Sequence, residues 1–277
     1  MDESAKCLYA VILGVIQGLT EFMPISSSAH LLLLSRFTDA DYFGKAFDVA
    51  LHGATLMALL LNKRELCIRV WTALREYLFR NLAEIRRGRL PLPKDSFEML
   101  GAAAVICTLP AAALGFCLEY TVEKYFHSLS WISAFLILAA IVMYFADRKG
   151  QESELTSFNL KNFLTLGLFQ SLALFPGVSR SGAVLTGARL MGVNRREAYS
   201  LSLLTAVPVI GGAFAVKLLK GLEAAPSDFL YIFLGVCAAF VTGLFCIGFM
   251  ERLIGRFGLE PFVVYRCLLG LALLAAA

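Results

Sequence analysis

Long apolar runs recur from one end of this sequence to the other, and no other feature restricts its folding as severely. Six stretches, at about 46–61, 98–116, 129–146, 197–217, 228–250 and 262–277, are sparsely charged. Each approaches the roughly 20 apolar residues that a helix needs to cross a bilayer. The runs are continuous rather than alternating, which excludes the pattern of a transmembrane barrel. Soluble domains are roughly 45–50% apolar; this chain of 277 residues is 58% hydrophobic, with a mean hydropathy of +0.72. A soluble fold of this length could not cover so much apolar surface, whereas a bilayer can. The expectation is an all-α polytopic membrane protein forming a single integral membrane domain over 1–277. The start, Met1-Asp2-Glu3-Ser4, lacks a basic stretch, and no cleavage site follows the first run, so 7–22 reads as part of the fold. The seven cysteines form no CxxC pair, which argues against metal-thiolate and disulfide frameworks.

Charge placement supplies the topology. Residues 62–97 carry nine basic side chains against four acids, which marks the main cytoplasmic segment. Within it Cys67, Trp71, Leu74, Leu78, Leu82 and Ile85 recur at helical spacing, as in an amphipathic helix lying on the membrane surface; a partner-binding helix is the alternative. Counted from that segment, 117–128 falls outside, while 147–162 and Asn194-Arg195-Arg196 fall inside. These assignments agree only if 163–192 enters and returns on one side, as a re-entrant hairpin broken near Pro176-Gly177. Residues 7–37 have the same form, broken at Met23-Pro24 and followed by the polar stretch Thr38-Asp39-Ala40-Asp41.

The two hairpins are related. Displaced by 153 residues, 13–36 lies on 166–189 without a gap, and Gln17, Phe22, Ser26, Ser28 and Arg36 meet Gln170, Phe175, Ser179, Ser181 and Arg189. Three crossings separate equivalent points, so the halves, about 7–116 and 160–277, are inverted. The expected fold therefore has about six transmembrane helices plus two re-entrant broken helical hairpins in an inverted-topology repeat. Such repeats place binding sites at broken helices near the bilayer midplane.

Ionisable and hydroxyl side chains gather at the two breaks. The first reads Gln17-Gly18-Leu19-Thr20-Glu21-Phe22-Met23-Pro24-Ile25-Ser26-Ser27-Ser28-Ala29-His30, and the second Pro176-Gly177-Val178-Ser179-Arg180-Ser181-Gly182. Exposed backbone at membrane depth needs internal partners or a ligand, and serine hydroxyls with helix N-termini suit a tetrahedral anion. Arg180 can grip two phosphate oxygens at once. Glu21 is a carboxylate at membrane depth, where a charge costs about 2.5–3.5 kcal/mol. With Gln17 one turn earlier it could hold a divalent cation or orient a water. His30 can move a proton. Simpler roles compete: Glu21 and Arg180 pairing as a staple, Ser26 and Ser28 as helix caps, His30 as a satisfied core residue. Arg266 could reach a headgroup or neutralise phosphate, and His52, near Asp48, is left outside the site.

The two breaks resemble the signature segments of the undecaprenyl-diphosphate phosphatase family, whose members can confer bacitracin resistance. Gln17-xxx-Glu21 with Pro24-Ile25-Ser26-Ser27-Ser28-Ala29-His30 is similar to its first motif, and Pro176 to Gly182 to its second. Ala46-Phe47-Asp48, Leu109-Pro110-Ala111, Ala206-Val207-Pro208 and Tyr265-Arg266 add to the likeness, which covers nearly the whole chain. Many members carry glutamate where Gln17 stands, which gives Glu21 the heavier role. The resemblance implies hydrolysis of a polyprenyl diphosphate to the monophosphate carrier lipid of peptidoglycan synthesis. It also implies a divalent cation (Mg²⁺ or Ca²⁺) and a bacterial plasma membrane, with the site opening to the outer face. Motif and chemistry together make Glu21, His30, Ser27 and Arg180 the expected catalytic residues, with the attack left open between Ser27 and an activated water. Ser26, Ser28, Ser179, Ser181 and Arg266 bind phosphate, and Glu21 and Gln17 hold the metal. Membrane lipids surround the protein, no nucleic-acid partner is expected, and a homodimer is left open. A transporter or lipid flippase with an intramembrane anion site is the rival. A phosphatidic-acid-type phosphatase is set aside, because no Pro-Ser-Gly-His occurs and Thr186 stands where its histidine belongs.

Overall fold

A computed structural model of the chain describes residues 2–38, 43–89, 91, 93, 95–149, 159–221 and 228–277. The expected turn at Asp39-Ala40-Asp41, Lys94 and most of the 147–162 segment lie outside them. The described residues form eleven α-helices and no strand: α1 (Glu3–Thr20), α2 (Ser27–Thr38), α3 (Gly44–Asn62), α4 (Arg64–Arg86), α5 (Ser96–Tyr125), α6 (Leu129–Arg148), α7 (Leu160–Ser171), α8 (Arg180–Leu190), α9 (Arg195–Leu219), α10 (Phe229–Phe257) and α11 (Glu260–Ala275). A 3-10 turn, Leu172–Leu174, follows α7. The protein is an all-α, multi-pass membrane protein. Five helices, α3, α5, α6, α9 and α10, are long and apolar enough to span a bilayer. The sixth expected span, 262–277, is α11, whose 16 residues rise about 24 Å.

Two boundaries differ from the sequence reading. The outer loop expected at 117–128 is mostly helix, because 117–125 contains no glycine or proline and α5 runs on to Tyr125. The chain reverses only at Phe126–Ser128, where the Phe126 ring meets Trp131 at 5.0 Å and Phe175 at 5.3 Å. α10 also continues past residue 250, through Gly255, to Phe257, and ends at Gly258 with φ 70°. The basic segment does contain a helix, α4, but its apolar residues divide between two faces. Val70, Leu74 and Tyr77 turn toward α5, where Gly101 gives Leu74 room, and Arg80 grips Glu98 through bonds of 2.7 and 2.8 Å. Ile68, Trp71, Leu78, Phe79 and Leu82 are exposed.

Helix pairings occur twice over. α1 packs on α10 and α10 on α3, while α7 packs on α5 and α5 on α9; α3 meets α9, and α6 meets α11. The first helix of each hairpin therefore lies against a long helix remote from it in sequence. Close approach depends on glycine. A Cβ on Gly14 would sit 2.3 Å from the Gly235 carbonyl oxygen, and one on Gly167 would sit 2.7 Å from that of Cys107. At one end of the bundle the Asp147 carboxylate collects Arg189 Nε at 3.1 Å, Arg195 at 2.8 and 2.9 Å and the Leu259 amide at 3.1 Å. That cluster locks α6, α8, α9 and the start of α11 together, which holds the second break in place.

Candidate active site at the two helix breaks

Each break follows from its local sequence. α1 stops at Thr20, and Met23-Pro24 prevents a restart because proline disfavours helical backbone in the residue before it. α7 tightens into the 3-10 turn, and Pro176-Gly177 then reverses the chain, with Gly177 at φ 101°. Both chains resume through a serine in the left-handed half of backbone space: Ser26 at φ 76° and Ser179 at φ 68°. Among the described residues no other non-glycine has positive φ. The two are local copies. Ser26 Oγ accepts from the Ala29 amide at 3.4 Å and meets Ser28 Oγ at 3.1 Å. Ser179 Oγ accepts from the Gly182 amide at 3.2 Å and meets Ser181 Oγ at 3.2 Å. Backbone of this kind costs about 1–3 kcal/mol per residue and tends to persist at functional sites. Ser179→Gly removes that cost for a few tenths of a kcal/mol of capping, whereas Ser179→Ala keeps the strain and loses the cap. Thermal unfolding in detergent is expected to show Ser179→Gly above the wild type and Ser179→Ala below it. The reverse order would mean that Ser179 carries no backbone strain.

Glu21 is the centre of the polar site. Its carboxylate is almost fully buried and receives Gln17 Nε2 and Ser27 Oγ, each at 3.0 Å, on Oε2, and Arg180 at 3.2 Å on Oε1. Arg180 also donates to the Ser202 carbonyl at 2.8 Å, which fixes its fork against α9. Charge from the second break thus neutralises charge from the first. The same Gln17 amide nitrogen lies 3.0 Å from His52 Nδ1, and that ring nitrogen is 3.5 Å from Glu21. Gln17 Oε1 is buried with no partner. That orphan oxygen, the Glu21 carboxylate and the Ser27 hydroxyl form an oxygen donor set suited to a hard divalent cation. No cluster of three His, Cys, Asp or Glu side chains accompanies it among the described residues. With so few protein donors, a cation bound here would have to complete its shell from a ligand, as Mg²⁺ commonly does with phosphates.

The remaining predicted residues lie around this centre. His30 donates from Nδ1 to the Ser26 carbonyl at 2.7 Å, so Nε2 accepts from the Tyr265 hydroxyl at 2.6 Å. No bond joins it to Ser27 or Glu21. Ser181 Oγ donates to the Met23 carbonyl at 3.0 Å, crossing from one break to the other. Arg266 is fully buried and spends its guanidinium on backbone, donating to the carbonyls of Pro24, Gly177 and Val178, each at 3.0 Å, while Nε has no partner. It holds both turns from one point. Sequence reasoning left out His52 and Tyr265. An ionisable residue inside an apolar run was the available signal for His52; Tyr265 offered none of that kind.

Fold and site together define a polytopic α-helical membrane protein whose buried ionisable groups meet where two helices are broken. The chain belongs to the bacitracin resistance protein BacA family, whose model matches residues 10–272. It is 38% identical over 281 residues to the undecaprenyl-diphosphatase of Thermomicrobium roseum, covering 96% of both chains. The undecaprenyl-diphosphatase of Chromohalobacter salexigens is 38% identical over 275 residues, 96% of this chain and 97% of that one. That of Geotalea daltonii is 37% identical over 268 residues, 94% of each.

Proposed function

We propose that this protein is a membrane-embedded hydrolase that removes the terminal phosphate of undecaprenyl diphosphate, yielding the monophosphate carrier lipid of peptidoglycan synthesis. The observation that carries the mechanism is the hydrogen bond from Ser27 to Glu21, a nucleophile on its base, with Arg180 on the same carboxylate. The incoming terminal phosphate takes Arg180 from Glu21, and the planar fork grips two of its oxygens. The amides at the starts of α2 and α8 add donors. Ser27 Oγ attacks the terminal phosphorus and gives its proton to Glu21. The bridging P–O bond breaks, and the prenyl monophosphate departs with the bonding pair and that proton. Glu21, again a carboxylate, takes a proton from the water that attacks the phosphoserine and returns it to Ser27 Oγ as the P–O bond to the serine breaks, releasing inorganic phosphate and restoring both side chains. His30, once Tyr265 turns away, carries protons between this centre and the outer face. Ser26, Ser28, Ser179 and Ser181 exchange their internal bonds for phosphate oxygens, and Arg266 keeps both turns in shape. A divalent cation held by Glu21 and Gln17 Oε1, Mg²⁺ or Ca²⁺, supplies neutralisation of the phosphate charge. The enzyme sits in the bacterial plasma membrane with this site open to the outer face. A homodimer is compatible with the reading, and every group named here comes from one chain.

The test is phosphate release from C55 polyprenyl diphosphate by purified protein in detergent, with Mg²⁺, Ca²⁺ or EDTA. Release that EDTA stops is expected. Ser27→Ala should slow it at least about 10³-fold and leave no phosphoserine to trap. Ser27→Ala at the wild-type rate would hand the attack to water. No release by folded wild type would sink the hydrolase and favour the transport rival.

A further inference from the structure

α8 turns Arg180 toward Glu21 and turns Gly182, Ala183 and Thr186 toward a different space, a groove of about 250 Å³ between α6 and the second hairpin. Its walls are almost wholly apolar; Thr186 and Arg266 are the polar members. Its mouth is formed by Leu138, Val142 and Leu172, all exposed on helices that face lipid. Its inner end is Val178, Gly182 and Arg266, which is the second break itself. There a Cβ on Gly182 would lie 2.9 Å from the Arg266 guanidinium, so glycine lets the arginine reach the end of the groove.

A channel that is apolar, open sideways to the bilayer and closed by the phosphate-site backbone matches a molecule with an apolar chain and an anionic head. Drug-sized ligands fill clefts of about 300–1,000 Å³, so this groove takes a fragment of a long chain and not the whole. Phe135, Phe169 and Phe175 offer stiff ring faces to a methyl-branched chain, at little cost in side-chain freedom. We propose that the isoprene units next to the diphosphate lie in this groove, while the rest of the chain remains in lipid. The inference rests on the diphosphatase reading above. It makes the groove the subsite that recognises the prenyl chain, entered between α6 and the α7–α8 hairpin.

Two measurements on the full-length protein test it. The first is the KM for C55 polyprenyl diphosphate in Ala139→Phe, which fills the groove from α6. Val241→Phe, on the exposed face of α10, serves as a control of equal bulk. The second is photolabelling of wild-type protein by a polyprenyl diphosphate with a diazirine in its first isoprene units, with and without excess phosphatidylglycerol. The expected results are a KM raised about tenfold or more in Ala139→Phe only, and label on α6 and α8 that phosphatidylglycerol does not remove. An unchanged KM, label elsewhere, or label lost to phosphatidylglycerol would overturn the groove while leaving the hydrolase intact. Should Ala139→Phe fail to fold, the labelling decides alone. Wild-type protein that takes label on α6 and α8 but releases no phosphate would instead remove the hydrolase and keep the chain site.

Discussion

Arg180→Gln is expected to stop turnover and loosen the fold together, whereas the same substitution combined with Glu21→Gln should restore the fold alone. The reasoning starts from burial. Arg180 and Glu21 keep only 11% and 6% of their side-chain surface, so removing the arginine strands a carboxylate among apolar helices. Breaking such a pair costs about 3–5 kcal/mol, while replacing both members by neutral groups is often tolerated. Catalysis does not share that symmetry. Loss of one preorganised donor to a developing charge slows a reaction about 10²–10³-fold, and the double variant also lacks the base. Unfolding temperature and phosphate release, measured on the four proteins of the cycle, separate the two effects. A double variant as active as wild type would reduce the pair to a staple between hairpins.

The second large effect needs no charge. Gly18→Val should yield no monodisperse protein, because a Cβ there would sit 2.0 Å from Thr242 Oγ1, 2.5 Å from the Ala239 carbonyl oxygen and 2.9 Å from the Gly243 nitrogen. One of those atoms belongs to a side chain that could turn; the other two are backbone of α10 and cannot yield without parting the helices. The cost is expected to exceed about 4–5 kcal/mol, the range reserved for overpacked cores and broken networks. Thr242→Ala should therefore rescue Gly18→Ala only in part. Gly212→Ala, on α9 with nothing within 4 Å of its Cβ, is the control and should gain up to about 1 kcal/mol of helix propensity. Size-exclusion profiles of the purified variants decide the matter, and a normal profile for Gly18→Val would show that α1 and α10 do not pack as described.

What could be read from the residues, and what could not, divides along physical lines. Five spans announced themselves through hydropathy, since a bilayer rewards uninterrupted apolar length. Helix ends did not, because hydropathy falls at Glu119 and Glu251 while helical backbone tolerates both. Glu21, Gln17, Ser27 and Arg180 stood out as polar groups at membrane depth beside helix breakers, and the last three each bond to the Glu21 carboxylate. His52 joins them through the rotation of α3 about its axis, which one chain's periodicity does not specify. Arg266 was read as a charge seeking an anion. Its use as a triple donor to turn carbonyls depends on how closely α11 approaches both breaks, and no local pattern encodes that. The serine pairs were legible as matching hydroxyls, but their positive φ was not, since serine gives no sign of it.

The packing of α1 against α10 also has a consequence in time. Phe229, where α10 begins, leaves the ribosome 209 residues after Thr20, and Arg180 follows Glu21 by 159. At about 5–20 residues per second, synthesis leaves the first hairpin some 10–40 s without the helix it packs on. Throughout that interval a small-residue face and a buried carboxylate wait in the membrane for partners not yet made. A chain truncated before α10 can never supply them, so the first hairpin gains its packing partner only once Phe229–Phe257 has been made.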